Sequence, residues 1–181
     1  MLSQLIKKYR FDIKTDRIGP DILFTHWRLY FQNIGHSLCK KKFKKFSDSA
    51  QFRPGAYAIG CSKIEIGNRV VVRPGCMLFG ESNSLETSIL IEDDVMMGSG
   101  VHFYINNHKY ERLDIPLIDQ GYGPEKPIIL RKGCWIGANS ILLPGVEIGE
   151  NTVIGAGSIV TKSFPKGVVV AGNPARILKL I

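Results

Sequence analysis

The sequence predicts an all-β solenoid, a parallel β-helix with an N-terminal capping segment and one long excursion loop. Three features carry that prediction: a six-residue period, a short interruption of it, and a long one. From Leu130 onward an aliphatic residue recurs at Leu130, Ile136, Leu142, Ile148, Ile154 and Val160. Gly follows it in three units, at Gly137, Gly149 and Gly155. A small or β-branched residue stands four places after it, at Cys134, Ser140, Val146, Thr152 and Ser158. A helix needs a period near 3.6 and a half-buried strand needs alternation. A unit of six fits neither as a long element. It fits a very short strand plus a turn, each unit stacking on an earlier one.

Each unit sends one aliphatic side chain inward, worth roughly 1.5–3 kcal/mol once buried. A single unit buries nothing, so stability comes from stacking. Gly after the aliphatic suits a corner, through either φ > 0 or close approach of a neighbour. The same register runs earlier through Ile66, Val72 and Leu78, then Ile91, Met97 and Phe103. The 13-residue step from Leu78 to Ile91 reads as two units plus one residue, a bulge or short insertion around Glu81–Thr87. The 27-residue step from Phe103 to Leu130 requires an excursion within residues 104–127. Loops of that length in a compact domain are usually functional or disordered. Gly121, Gly123, Pro124 and Pro127 make this one irregular.

The 181 residues suit one core domain with an appendage: residues 1–53 as a basic, aromatic cap and residues 54–181 as the solenoid. The net charge of +8 lies entirely in residues 1–53, which hold 12 Lys/Arg against 4 Asp/Glu. It is concentrated in Lys40, Lys41, Lys42, Lys44 and Lys45, just after an apolar stretch with Leu23, Phe24, Trp27, Leu29, Tyr30 and Phe31. Such a segment can close the open end of a solenoid. It can also touch an anionic membrane surface through residues 22–45, and the two roles are compatible. Nucleic acid is not the expected partner, because the aromatics precede the lysines rather than interleave with them. No signal peptide and no run of about 18 apolar residues is present, so the expected location is cytoplasmic, with peripheral contact at the inner membrane surface as an extension. Cys39, Cys61, Cys76 and Cys134 lack metal or redox spacing. Cys76 and Cys134 occupy small positions of the repeat, as buried hydrophobes of a reduced protein.

His108 is the first candidate for chemistry. It follows Asn106-Asn107 at the start of the excursion, and irregular backbone on a rigid scaffold is where catalytic groups concentrate. A neutral imidazole can take a proton from a hydroxyl; position alone would equally suit an exposed loop histidine. His102 stands one unit earlier, which raises a metal site, but the other histidines, His26 and His36, are far away in the N-terminal region, and no metal is expected. Trp135 should face outward and wants a ligand or a second subunit. The repeat breaks at Lys166–Arg176, and Arg176 and Lys179 then offer cations suited to phosphate.

Residues 54–181 resemble the left-handed β-helix acyltransferases, in the branch of maltose, galactoside and xenobiotic O-acetyltransferases. The matching words are IILRKGCWIGANSI (Ile128–Ile141), LPGVEIGENTVIGAGSIV (Leu143–Val160), Thr161-Lys162 and GNPARI (Gly172–Ile177). The left hand comes from the resemblance, since the period does not set it and crossovers are normally right-handed. Residues 1–53 look less like the helical domain of maltose acetyltransferases than like the leader of surface-polysaccharide O-acetyltransferases.

The resemblance implies a homotrimer with active sites between subunits, and acetyl-CoA as co-substrate. It implies a hydroxyl acceptor on a sugar, in a surface polysaccharide or a lipid-linked glycan precursor. His108 would be the general base and Trp135 a wall of the acyl site. Gly137, Ala138 and Ala156 would meet the pantetheine arm, with Thr161 and Lys162 further along it. Arg176 and Lys179 would approach the nucleotide phosphates, Lys179 standing where some relatives have arginine. The acceptor-orienting asparagine of the family has its counterpart in a rearranged region, where Asn83 is the candidate. The rival acceptors are an antibiotic hydroxyl, serine or an amino sugar. A non-catalytic trimeric scaffold and a metal-dependent hydratase are the readings from other classes.

Overall fold

The computed structural model describes residues 2–14 and 30–181. Its architecture follows from strands too short to make a sheet by themselves. Five coils of three strands wind along the chain: β1 (Lys45–Phe46), β2 (Gln51–Phe52) and β3 (Tyr57–Ile59); β4 (Ile64–Ile66), β5 (Val71–Val72) and β6 (Met77–Phe79). Then come β7 (Ile89–Ile91), β8 (Met96–Met97) and β9 (His102–Tyr104), and β10 (Ile128–Leu130), β11 (Trp135–Ile136) and β12 (Ile141–Leu142). The last coil is β13 (Glu147–Ile148), β14 (Val153–Ile154) and β15 (Ile159–Val160). Every third strand pairs in parallel, which yields three faces: β1-β4-β7-β10-β13, β2-β5-β8-β11-β14-β16 and β3-β6-β9-β12-β15. Strand β16 (Val168–Gly172) extends the second face, and β17 (Ala175–Leu180) folds back antiparallel to it. We call these the first, second and third faces of the prism.

The six-residue period marks the inward column of the prism. Ile66, Val72, Leu78, Ile91, Phe103, Leu130, Ile136, Leu142, Ile148, Ile154 and Val160 are all fully buried, and Met97 nearly so. The small residues four places on are buried beside them, and their hydroxyls serve the corners. Ser140 Oγ donates to the Gly137 carbonyl at 2.9 Å, Ser158 Oγ to that of Gly155 at 2.6 Å and Thr152 Oγ1 to that of Pro165 at 2.7 Å. Such bonds remove the penalty of burying a hydroxyl. Of the two reasons for Gly after the aliphatic, close approach is the operative one. A Cβ at Gly137 would lie 2.4 Å from the Ala156 nitrogen, whereas the positive φ of that corner falls two residues later, at Asn139 (58°). Truncating Ile136 to Ala should cost about 2–5 kcal/mol, as for other buried aliphatics, read as a lower urea midpoint at unchanged m.

Two boundaries differ from the sequence reading. The first coil starts at Lys45 rather than at residue 54, because β1 and β2 already pair with β4 and β5. The lysine run hides the inward Phe46 that starts the register. The interruption after Leu78 is one unit and seven extra residues, since β6 and β7 are consecutive strands and Ile66 pairs with Ile91. Counting in sixes cannot distinguish one extra residue from seven; only strand pairing does. The excursion likewise adds twenty-one residues between β9 and β10, with Ile91 paired to Leu130 across it.

Among the described residues, α1 (Leu2–Lys14) and α2 (Gln32–Lys42) precede the coils. Helix α2 lies against β1 and β2. The Phe43 ring lies tilted 5.4 Å from Phe46 and 5.5 Å from Phe52, and the His36 ring meets Phe46 edge-on, so aromatic bulk covers the first coil. Part of the polybasic run is neutralised locally: Lys40 pairs with Asp48, and Lys44 lies 3.1 Å from Glu65 and 3.0 Å from Glu86. Lys41 and Lys42 remain exposed. Most of the aromatic stretch expected to touch lipid, residues 22–29, lies outside the described residues. Among the described residues no helix is long and apolar enough to cross a membrane.

Candidate active site

The excursion is not a free loop at its base. Ile105, 2% exposed, roots its outgoing limb in the core. The returning limb then lies back against it: Lys109 N–H donates to the Gly121 carbonyl at 2.9 Å, Gly123 N–H to Asn107 at 2.8 Å and Lys126 N–H to Ile105 at 2.8 Å. His108 sits in this ribbon opposite Tyr122, with the two rings 4.2 Å apart and tilted by 35°. The groove beneath it, about 280 Å³, is lined by His108, Lys109, Lys126, Leu143, Pro144 and Thr161 among others. Sequence reading placed His108 and Thr161 in one site from separate arguments, and the fold brings both to the edge between the third and first faces. Lys162 is on the same edge, its Nζ 5.9 Å from the Phe164 ring centroid.

The remaining cofactor candidates gather elsewhere. Gly137, Ala138 and Ala156 stack on the edge between the second and third faces, where the Gly137 gap admits the Ala156 backbone. Ala138 and Ala156 are not fully buried, and among the described residues neither N–H is used in a hydrogen bond. Arg176 joins them, since it pairs in register with Ala171, which closes over Gly155. Lys179 lies further along β17 opposite Val169. Trp135, 48% exposed, stands on the second face between Met96 and Val153. The candidate residues of one chain therefore fall into two groups, separated by the width of the third face. At about 3.3 Å per extended residue that width is roughly 15–20 Å, too far for one small group to bridge.

The three faces differ in character. The first is charged, with Arg131 held 2.7 Å from Glu147 and 2.8 Å from Glu92. The third presents a register column of Tyr57, Met77, His102, Ile141 and Ile159 outward. Beside that column the rings of Phe79 and Tyr104 stack at 5.0 Å. His102 Nδ1 lies 3.4 Å from the Tyr104 hydroxyl, and among the described residues no three His, Cys, Asp or Glu side chains cluster as ligands.

The buried thiols are not poised as nucleophiles. Burial pushes the Cys134 thiol up to about 12, and it raises Cys76, whose Sγ contacts the Gly98 carbonyl at 3.2 Å. A thiolate relay needs the opposite shift.

Sequence reasoning missed Glu125 and Tyr122, both inside the excursion where no period exists. Glu125 accepts from Ser82 Oγ at 2.6 Å, Ser84 Oγ at 2.5 Å, Ser84 N–H at 3.1 Å and Asn83 N–H at 3.3 Å. These donors, the Ser82 and Ser84 hydroxyls first, hold its carboxyl down at about 2. A depressed carboxylate contributes its stabilisation above its unfolded value and loses it as pH falls toward the folded one. The contact is therefore complete at neutral pH and lost only in strong acid. Asn83 itself contributes its backbone N–H here; its side chain is exposed.

A parallel prism of hexapeptide coils, broken by an excursion that holds a histidine over a groove, defines an acyltransferase scaffold. Residues 127–162 match the model of the bacterial transferase hexapeptide family (six repeats). The galactoside O-acetyltransferase of Escherichia coli (strain K12) is 33% identical over 145 residues, 80% of this chain and 68% of that protein. The chain thus spans about two thirds of the length of that curated relative. A galactoside acetyltransferase solved in complex with coenzyme A superposes with a TM-score of 0.74 at 27% identity, covering 99% of this chain and 82% of the other. The polySia-specific acetyltransferase NeuO superposes at 0.56 and 26% identity, over 74% of this chain and 59% of its own. The chain belongs to the hexapeptide-repeat acetyltransferases, with the left-handed β-helix of that family. The superposition on galactoside acetyltransferase takes in nearly the whole chain.

Proposed function

We propose that the protein is an O-acetyltransferase that moves an acetyl group from acetyl-CoA to a hydroxyl of a glycan, within a homotrimer on the cytoplasmic side. The observation that carries this reading is His108, held on a hydrogen-bonded ribbon over an open groove that Thr161 also lines. The acceptor hydroxyl gives its proton to the imidazole as its oxygen attacks the thioester carbon. The C–S bond then breaks, and the imidazolium returns the proton to the departing thiolate. Both steps need only one base, and no thiol of the protein is consumed.

The two groups of candidate residues are read as half-sites, and their separation supports the trimer. A three-fold axis facing the third face of each protomer sets one copy's Ala138–Ala156–Arg176 edge against its neighbour's His108–Thr161 edge. That arrangement also covers Met77, Ile141 and Ile159, while the charged first face stays in water. In this assembly acetyl-CoA lies between two copies, with Gly137, Ala138 and Ala156 along pantetheine, Thr161 and Lys162 across from it, Arg176 and Lys179 at the phosphates and Trp135 beside the acyl group. Asn83, on the insertion, is the residue proposed to meet the acceptor.

A glycan acceptor is supported by the named activity of the galactoside relatives and of the polySia-specific neighbour. Coenzyme A release from acetyl-CoA is expected with sugars and glycan oligomers and not with chloramphenicol-type drugs. Turnover confined to drugs or amino sugars would replace this reading with its rival. The exposed Lys41 and Lys42 support the finer reading of peripheral contact with anionic lipid, which the same assay reaches with a lipid-linked acceptor in anionic vesicles.

A further inference from the structure

The repeat is interrupted twice, and the two interruptions are tied to each other through one side chain. The seven-residue insertion supplies Ser82, Asn83 and Ser84, and the excursion supplies Glu125. Ser82 is buried and also accepts the Leu85 N–H at 2.8 Å, which shapes the insertion into a cradle for the carboxylate. Glu125 lies between the two cross-links at the foot of the ribbon, Gly123 to Asn107 and Lys126 to Ile105. On the same limb, three residues back, Tyr122 backs the His108 ring. The imidazole is thus set by Tyr122, Tyr122 by the returning limb, and that limb by Glu125. Among the described residues, Glu125 makes the side-chain hydrogen bonds that join the limb Gly121–Lys126 to the coils before the excursion.

We propose that Glu125, clasped by Ser82 and Ser84, is a positioning residue that holds the returning limb and through it the imidazole of His108. The proposal rests on the acetyl-transfer reading for its kinetic arm only. Glu125 touches neither half-site for acetyl-CoA directly, so its loss should spare binding of that substrate. A misplacement of about 1 Å at a reacting group can cost around a hundredfold in rate, and that is the upper end expected here.

The experiment compares wild type with Glu125→Ala, Ser82→Ala/Ser84→Ala and the combined variant, in the full-length protein. The expected result is a kcat lowered about 10- to 100-fold in Glu125→Ala with KM for acetyl-CoA within about twofold. The serine pair should reproduce most of that loss, and the combined variant should add little, as members of one contact are non-additive. Glu125→Gln, which keeps one acceptor oxygen, should recover part of the rate. The pH profile should keep its shape, because Glu125 stays ionised throughout; a changed profile would make it a titrating participant and overturn the positioning role. Hydrogen exchange gives a readout independent of activity. The Gly123 amide, bonded to Asn107, should lose protection in Glu125→Ala, while the Gly137 amide, bonded to Ile154 at 2.7 Å in the coils, should not. Equal loss at both amides would mean general destabilisation and sink the proposal, as would an unchanged kcat. If wild type acetylates no sugar, the function fails while the exchange arm still decides the clasp.

Discussion

Replacing His108 with Ala should lower turnover by about 10²–10⁴, the usual worth of a general base, and leave acetyl-CoA binding near the wild-type value. The asymmetry follows from where the groups sit. The imidazole stands on the excursion ribbon, rooted at Ile105 and backed by Tyr122. The edge with the free Ala138 and Ala156 amides lies across the third face and does not depend on the ribbon. Removing the ring therefore removes the proton acceptor without disturbing that edge. Steady-state kinetics with a sugar acceptor and calorimetric titration of coenzyme A separate the two effects. Near-normal turnover in His108→Ala would end the general-base assignment. A large loss of coenzyme A affinity would instead mean that the ribbon also forms part of the cofactor groove of the same chain.

Mixed trimers should recover activity that neither parent has. Take His108→Ala as one parent and Ala156→Tyr as the other, the second filling the groove on the edge between the second and third faces. Each homotrimer should be nearly inactive. In a closed three-fold ring with a heterologous contact, each site draws one edge from one protomer and the other edge from its neighbour. In each mixed trimer about one site in three then combines an intact ribbon with an intact amide edge. Co-expression of differently tagged chains and purification through both tags give the species to assay. Activity no greater than the sum of the parents would show that both half-sites act within one protomer, and the roughly 15–20 Å between them makes that geometrically difficult.

How much of this was legible in the sequence depends on whether a residue lies inside the repeat. The inward column from Ile66 to Val160 could be read directly, because every sixth side chain meets the same steric demand at the same corner. Cys76 and Cys134 could be read as buried for the same reason. His108 was visible only as a histidine at the point where the count fails, and its partner Tyr122 not at all. Ring packing across a ribbon joins residues with no fixed spacing. Lys45–Phe46 was assigned to the cap because five lysines mask a two-residue strand. The insertion after Leu78 was miscounted because periodicity records phase and not the number of residues passed over.

By itself the sequence determined the prism: a six-residue period imposes short strands, buried aliphatics and small corner residues, all of them local and repeated demands. Tertiary structure alone decided the rest. It decided which strands lie over which, how far each interruption departs, and that Glu125 on one interruption closes on Ser82 and Ser84 of the other. It also decided that the residues expected to hold acetyl-CoA fall on two edges of one face. The physical reason is that a repeat constrains each unit through its neighbours, whereas contacts between interruptions are made once, across long stretches of chain, and leave no period to read.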